Sequence, residues 1–173
     1  MKIRIKFAKS GNMKFIGHLD TMRYFQKAMR RADIDIAYST GFSPHQIMSF
    51  AAPLGVGITS EGEYLDIEVN STASTQTAVT ALNAAMVEGF SVLDYRKLPD
   101  HAKTAMSIVT CADYTLTYRE GYEPNHTFED FCEAVHLFYE VPEKIEIVKQ
   151  TKKSEKIIDL KPLIYDFKVL QVE

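Results

Sequence analysis

Lys2-Ile3-Arg4-Ile5-Lys6-Phe7-Ala8 decides the fold. Ile3, Ile5 and Phe7 fall on one side of an extended chain and Lys2, Arg4 and Lys6 on the other, the period-two pattern of a strand with one dry and one wet face. After the turn at Ser10-Gly11-Asn12 the period changes. Met22, Phe25, Met29 and Ala32 recur at steps of three, four and three within residues 18–32, which is the apolar stripe of an amphipathic helix. Asp20 sits in its first turn, where the helix dipole favours an acid.

The polar run Ser39-Thr40-Gly41-Phe42-Ser43-Pro44-His45 then reads as a loop. Residues 46–58 read as extended chain interrupted by Pro53, and Ser60-Glu61-Gly62 turns them into a second strand, Tyr64 to Val69, so that the two form a hairpin. Ser74 is placed to cap a helix that turns Ala78, Val79, Leu82 and Met86 to the core. Gly89 takes the left-handed position after it, and Phe90 to Tyr95 supplies a last strand. The order β-α-β-β-α-β is the split βαβ arrangement of ferredoxin-like folds.

Beyond a connection around residues 98–104 the order begins again. Ser107 to Tyr118 reads as a strand with Tyr114, Leu116 and Tyr118 on one side, and Thr127 with Asp130 forms a capping-box pattern. Phe128, Phe131, Val135 and Phe138 repeat the helical spacing, and strands Ile145 to Val148 and Lys156 to Leu160 flank the turn Thr151-Lys152-Lys153-Ser154-Glu155. The expectation is an α+β fold of two ferredoxin-like halves with antiparallel sheets, residues 1–98 and 105–173. The second half is expected to be incomplete, with its final helix and strand missing or much shortened.

With 46% apolar and 25% charged residues in a chain of 173, the composition is that of a globular protein rather than a disordered one. The amino terminus carries no apolar run of the signal-peptide kind and no span of about 20 apolar residues follows, so the expected compartment is the cytoplasm, with no membrane partner. The sequons at Asn70 and Asn125 should then go unmodified. Cys111 and Cys132 lack a CxxC pairing and read as buried or half-buried free thiols. The net charge of −3 hides an asymmetry. Residues 1–50 hold nine basic and three acidic side chains, a surplus of six, and the remainder is net negative by nine. An anionic partner has a use for the first region.

The common catalytic signatures are absent. Gly55-Val56-Gly57-Ile58-Thr59-Ser60 resembles a dinucleotide fingerprint only superficially, because no helix opens after it, and there is no P-loop, nucleophile elbow or HExxH. Two constellations remain. In Gly17-His18-Leu19-Asp20, an imidazole and a carboxylate flank a helix start, the minimal kit for proton transfer, and His45 is a third group that the fold can bring near. The simpler reading has Asp20 charging the helix terminus and His18 filling a polar niche, with no metal or other cofactor. On the same helix Arg23, Lys27, Arg30 and Arg31 form a stripe opposite the apolar one. Like charges so spaced repel mildly, and a polyanion relieves that repulsion while releasing counterions. Tyr24, Tyr38 and Phe42 lie near in sequence as stacking platforms for unpaired bases. The bland alternative is a solvated helix face.

Taken together, Gly17-His18-Leu19-Asp20, Arg30-Arg31-Ala32, Tyr38-Ser39-Thr40-Gly41-Phe42-Ser43-Pro44-His45 and Glu63-Tyr64-Leu65-Asp66 resemble the radical SAM-linked protein family, a domain of unknown function found beside, or fused to, a radical SAM protein. The resemblance runs through residues 1–100 and weakens to Asp159-Leu160-Lys161-Pro162 afterwards. It implies a radical SAM protein as partner and assigns no reaction. Two distant cysteines do not make the three-cysteine cluster motif such an enzyme needs, so the implied role is accessory.

The preferred expectation is a non-catalytic module that holds RNA or another anionic substrate with Arg23, Lys27, Arg30, Arg31, Ser39, Phe42, Ser43 and His45. The alternatives are a phosphoryl-transfer or RNA-processing enzyme built on His18 and Asp20, and a protein–protein scaffold. The preferred reading requires the positive side chains of residues 1–50 to converge on one exposed surface beside Gly41–His45.

Overall fold

The structure is a computed structural model that describes residues 1–122, 125–151 and 154–171. It is a mixed α/β chain with a four-stranded antiparallel sheet and a separate two-stranded sheet, divided into two compact units, Met1–Asp113 and Tyr114–Glu173.

In the first unit, strand β1 (Lys2–Lys9) is followed by a 3-10 turn at Gly11–Phe15 and helix α1 (His18–Arg31). Strands β2 (Met48–Phe50) and β3 (Ser60–Glu68), helix α2 (Thr75–Ala85) and strand β4 (Phe90–Lys97) complete the sheet elements, and the short helix α3 (Ala105–Ile108) follows. The sheet order is β2-β3-β1-β4, with Ile5 opposite Leu65 on one side and Tyr95 on the other. Alternation decides which face is dry: Ile3, Ile5, Phe7, Leu65, Ile67, Val92 and Tyr95 are buried against Phe25 and Met29 of α1 and Ala78 and Leu82 of α2. Phe25 meets Phe7 at 4.7 Å, Phe90 at 5.5 Å and Phe50 at 5.6 Å between ring centroids, so one aromatic cluster ties α1 to three strands.

Local chemistry fixes the joints. The Ser74 hydroxyl accepts from the Thr77 amide to start α2, as the sequence implies. Asn83 in that helix donates its side-chain amide to the Val92 carbonyl (2.9 Å), and its side-chain carbonyl accepts from the Val92 N–H (2.7 Å). It thus occupies part of an outer edge that would otherwise be open to another strand. Gly89 has φ of +95° but lies four residues past the end of α2. Its necessity comes from packing as well: a Cβ there would sit 2.7 Å from both Met13 Cγ and the Ser10 carbonyl oxygen.

The expected extended chain over 46–58 shrinks to the three residues of β2. Pro53 withdraws a ladder donor and Gly57 has φ of +89°, so the chain leaves the sheet after Ala51, whose amide still donates to the Tyr64 carbonyl. The expected strand over 107–118 is not formed. Residues 105–108 turn as α3, and no ladder among the described residues includes 109–118. Cys111 is exposed rather than buried.

The second unit contains helix α4 (Phe128–Val135), a π-helical turn at His136–Glu140, and strands β5 (Glu146–Gln150) and β6 (Glu155–Asp159). The capping box is present: Thr127 Oγ1 accepts from the Asp130 amide and the Asp130 carboxylate from the Thr127 amide. The hairpin pairs Ile147 with Ile158 and Val148 with Ile157. Lys152 and Lys153 of the expected turn lie outside the described residues. Among those described, no helix is long and apolar enough to cross a membrane.

Candidate functional site

Helix α1 lies with Thr21, Phe25, Ala28 and Met29 buried, so the 100° step per residue puts Arg23, Lys27 and Arg30 on the opposite, exposed face. Arg23 Nη1 stands 3.5 Å from Asp20 Oδ1 in a solvent-exposed pair, an arrangement that holds either charge only weakly. The side chains of Lys27 and Arg30 make no hydrogen bond or ion pair with a described residue. Arg31 is different. Its Nη2 donates to the Ala85 carbonyl at 2.9 Å and its guanidinium lies 5.4 Å from the Tyr24 ring centroid, so it closes the carboxyl end of α2, where the dipole favours a cation. Tyr24 is engaged too, stacked on Phe90 and accepting from the Val87 amide.

The segment after α1 returns beside the sheet. The Ala37 amide donates to Glu68, the Ile47 amide donates to Ala37, and Tyr38 bridges Gln46. From that base Ser39 to His45 closes on itself. The Ser39 amide donates to the His45 carbonyl (2.8 Å), Ser39 Oγ accepts from the His45 amide (3.1 Å), and Ser39 Oγ lies 2.9 Å from His45 Nδ1. Gly41 supplies φ of +118° at the bend, and Phe42 beside it has a relative exposure of 112%. Ser43 is exposed as well. Gln46 mounts this loop on the helix: 6% exposed, it donates Nε2 to the Gln26 carbonyl of α1 (3.2 Å) and to the Tyr38 hydroxyl (3.4 Å). Gln26 is on the flank of α1 toward Arg23 and Arg30, so the cations and the bare ring are carried by one braced piece of chain. Cations that bind phosphate and an aromatic face that stacks a base are the two parts of a single-strand site.

His18 and Asp20 are kept apart. Two residues along a helix turn through about 200°. Asp20 faces solvent beside Arg23, while the His18 ring packs edge-on against Phe50 at 5.3 Å. No described contact joins His18 to His45, and among the described residues no group of three or more His, Cys, Asp or Glu side chains is placed to hold a metal. His18 instead lines a cleft of about 10 Å³ with Phe7, Lys9, Thr21, Phe50, Ala52, Leu54 and Glu63, room for a single water.

Lys9 in that cleft was not anticipated. It is 2% exposed and donates Nζ to the Ile16 carbonyl at 2.9 Å, pinning the turn that leads into α1. Burial lowers its pKa from the ordinary lysine value, with Glu63 acting the other way. The signal was in the opening strand, because continuing Ile3, Ile5, Phe7 by two reaches Lys9 on the dry side.

The positive charges of residues 1–50 therefore do not share one surface. Lys2, Arg4 and Lys6 line the far face of the sheet, where Arg4 makes a bidentate pair with Asp66 at 2.7 and 3.0 Å and also donates to the Lys103 carbonyl. Asp66 in turn accepts from the Ala105 amide. That face is a charge ladder partly covered by the chain from Leu98 to Ala105, with a shallow hollow of about 170 Å³ beside β2. The convergence required by the sequence reading is therefore not met over residues 1–50, and the smaller set Arg23, Lys27 and Arg30 on the exposed face of α1 is what remains for an anionic ligand.

A family model described as an uncharacterized protein conserved in bacteria (DUF2344) matches residues 2–173. No curated protein matches the chain.

Proposed function

The chain belongs to this uncharacterized bacterial family, and we propose that it acts there as a non-catalytic module that holds an RNA strand, or another polyanionic substrate, against α1 and the Ser39–His45 loop. One observation carries the reading. Phe42 stands bare at the tip of a loop closed by Ser39 and His45 and braced by Gln46 on α1, the helix whose Lys27 and Arg30 side chains have no acidic partner among the described residues. An apolar ring held in water by a braced loop gains nothing for folding, since its burial is forgone. Stacking on a base recovers that area, and the cations supply sequence-independent attraction to the phosphates.

On this reading the working partner is a radical SAM protein, as the sequence resemblance implies, which performs the chemistry in the cytoplasm while this chain presents the substrate. The first unit serves as a ferredoxin-like scaffold. Its element order and its strand order β2-β3-β1-β4, with β1 and β2 parallel across β3, support that assignment. Because Arg4 on the far face of the sheet is paired with Asp66 and the chain from Leu98 to Ala105 covers part of that face, the ligand uses the helix side.

The test is fluorescence anisotropy with a short single-stranded RNA. The double variant Lys27→Ala, Arg30→Ala should weaken binding about tenfold or more at low salt, with the far-ultraviolet circular dichroism unchanged. Arg31 is left in place because its loss would also open the end of α2. Equal affinity of the double variant and the parent protein contradicts the proposed face.

A further inference from the structure

The second unit has little interior of its own. Of its described apolar side chains only Ile145 is buried, while Leu116 is 90% exposed and Phe138, Val148, Ile157 and Tyr165 also stand in solvent.

The hairpin of this unit is also short of a strand. β5 and β6 are five residues each and among the described residues pair only with one another, so no described strand meets either outer edge. An isolated two-stranded hairpin is marginal in water. The chain carries a segment of matching length, Tyr114-Thr115-Leu116-Thr117-Tyr118, made wholly of aromatic, β-branched and leucine residues in strict alternation, and it enters no ladder among the described residues.

We propose that a second copy of this chain covers the unit: Tyr114–Tyr118 of each protomer adds as a third strand to a free edge of the other's β5–β6 hairpin, and Leu116, Phe138, Val148 and Ile157 enter a shared core. A second copy is the occupant chosen because the unpaired strand and the unpaired edge are on the same chain. A two-fold exchange therefore satisfies both protomers at once and closes without leaving an edge to propagate. This assembly is independent of the RNA-binding face, which lies on the first unit.

Sedimentation equilibrium of the full chain at micromolar concentration should give twice the monomer mass of 19.6 kDa, with hydrogen exchange slowed across residues 114–118. Two variants should each return the monomer: Leu116→Lys, which places a charge in the shared core, and Thr117→Pro, which removes a ladder donor without adding charge. Retained exchange protection in β1 and β3 would show that the first unit is still folded. A monomer at every concentration, a dimer that persists in either variant, or protection of 114–118 in a monomeric chain overturns the proposal. So does a chain that stays monomeric until mixed with a different protein.

Discussion

Helices α1 and α4 carry the same kind of apolar stripe, yet they end in different surroundings. Phe25 of α1 is fully buried among Phe7, Phe50 and Phe90 on a four-stranded sheet. Phe131 of α4 remains half-exposed, its ring near those of Tyr118 and His126. Periodicity states which face of a helix requires cover. Whether cover exists depends on how many other elements the chain brings to that face, and the first unit brings four strands where the second brings two.

The contrast is open to direct attack, most forcefully through the aromatic cluster. Phe25→Ala should destabilise the first unit by about 3–5 kcal/mol, as large buried rings do when truncated, and Phe131→Ala in the isolated monomer should cost far less. Urea unfolding followed separately in each unit would measure both, and equal losses would erase the distinction. Asn83→Ala comes next. It strips a hydrogen-bond partner from both backbone groups of Val92, at about 1–3 kcal/mol, and reopens part of the β4 edge, so the melting temperature should fall and self-association rise.

A smaller effect concerns the helix starts, where the two units should agree. Ser74→Ala and Thr127→Ala each remove a side-chain cap worth about 1 kcal/mol, because capping is local and indifferent to how much core lies beyond it. A cap in the second unit that cost nothing would mean that α4 is not held by its own terminus.

The smallest effect is on the acid side. Hydrogen bonds from the Ser71 hydroxyl and then the Asn70 amide hold the Asp35 carboxyl below its ordinary value of 3.8. The folded state therefore binds this proton less readily than the unfolded chain. Its contribution is complete above the unfolded value and is lost as pH falls through the folded one. Asp35→Asn should flatten that part of the acid limb in thermal melts. Lys9 acts in the same direction at the alkaline end, stability rising with pH in both cases. Burial lowers its pKa, so its burden on the fold eases as pH rises toward the ordinary 10.5, and Lys9→Met should abolish that alkaline gain.

Much of the first unit was legible because its signals are local and repeated: the alternation through β1, the spacing in α1, the Ser74 cap. What escaped needed a second element to be seen. Arg31 belongs to the helix stripe by spacing, and only the carboxyl end of α2 gives it another task. His18 and Asp20 look like a pair in sequence, but an interval of two residues on a helix separates them. Lys9 was readable and missed, since a charge on the dry side of an alternating strand marks a buried group. Tyr114 to Tyr118 has the pattern of a strand and joins no ladder among the described residues, a fact that alternation alone does not express. For the candidate site, the exposed stripe and the loop were foreseen as residues. The bracing of the loop by Gln46 and the bareness of Phe42 came only with the fold.

The most direct measurement is a salt titration of single-stranded RNA binding by the parent protein, the double variant Lys27→Ala/Arg30→Ala and Phe42→Ala. If phosphates sit on α1 and a base on the loop, affinity falls steeply with salt. Removing the two cations should then reduce the log–log slope by about 1.4, while Phe42→Ala should lose about 1–3 kcal/mol at every salt concentration with the slope unchanged. A slope that is the same in all three proteins, or affinity indifferent to Phe42, contradicts the account.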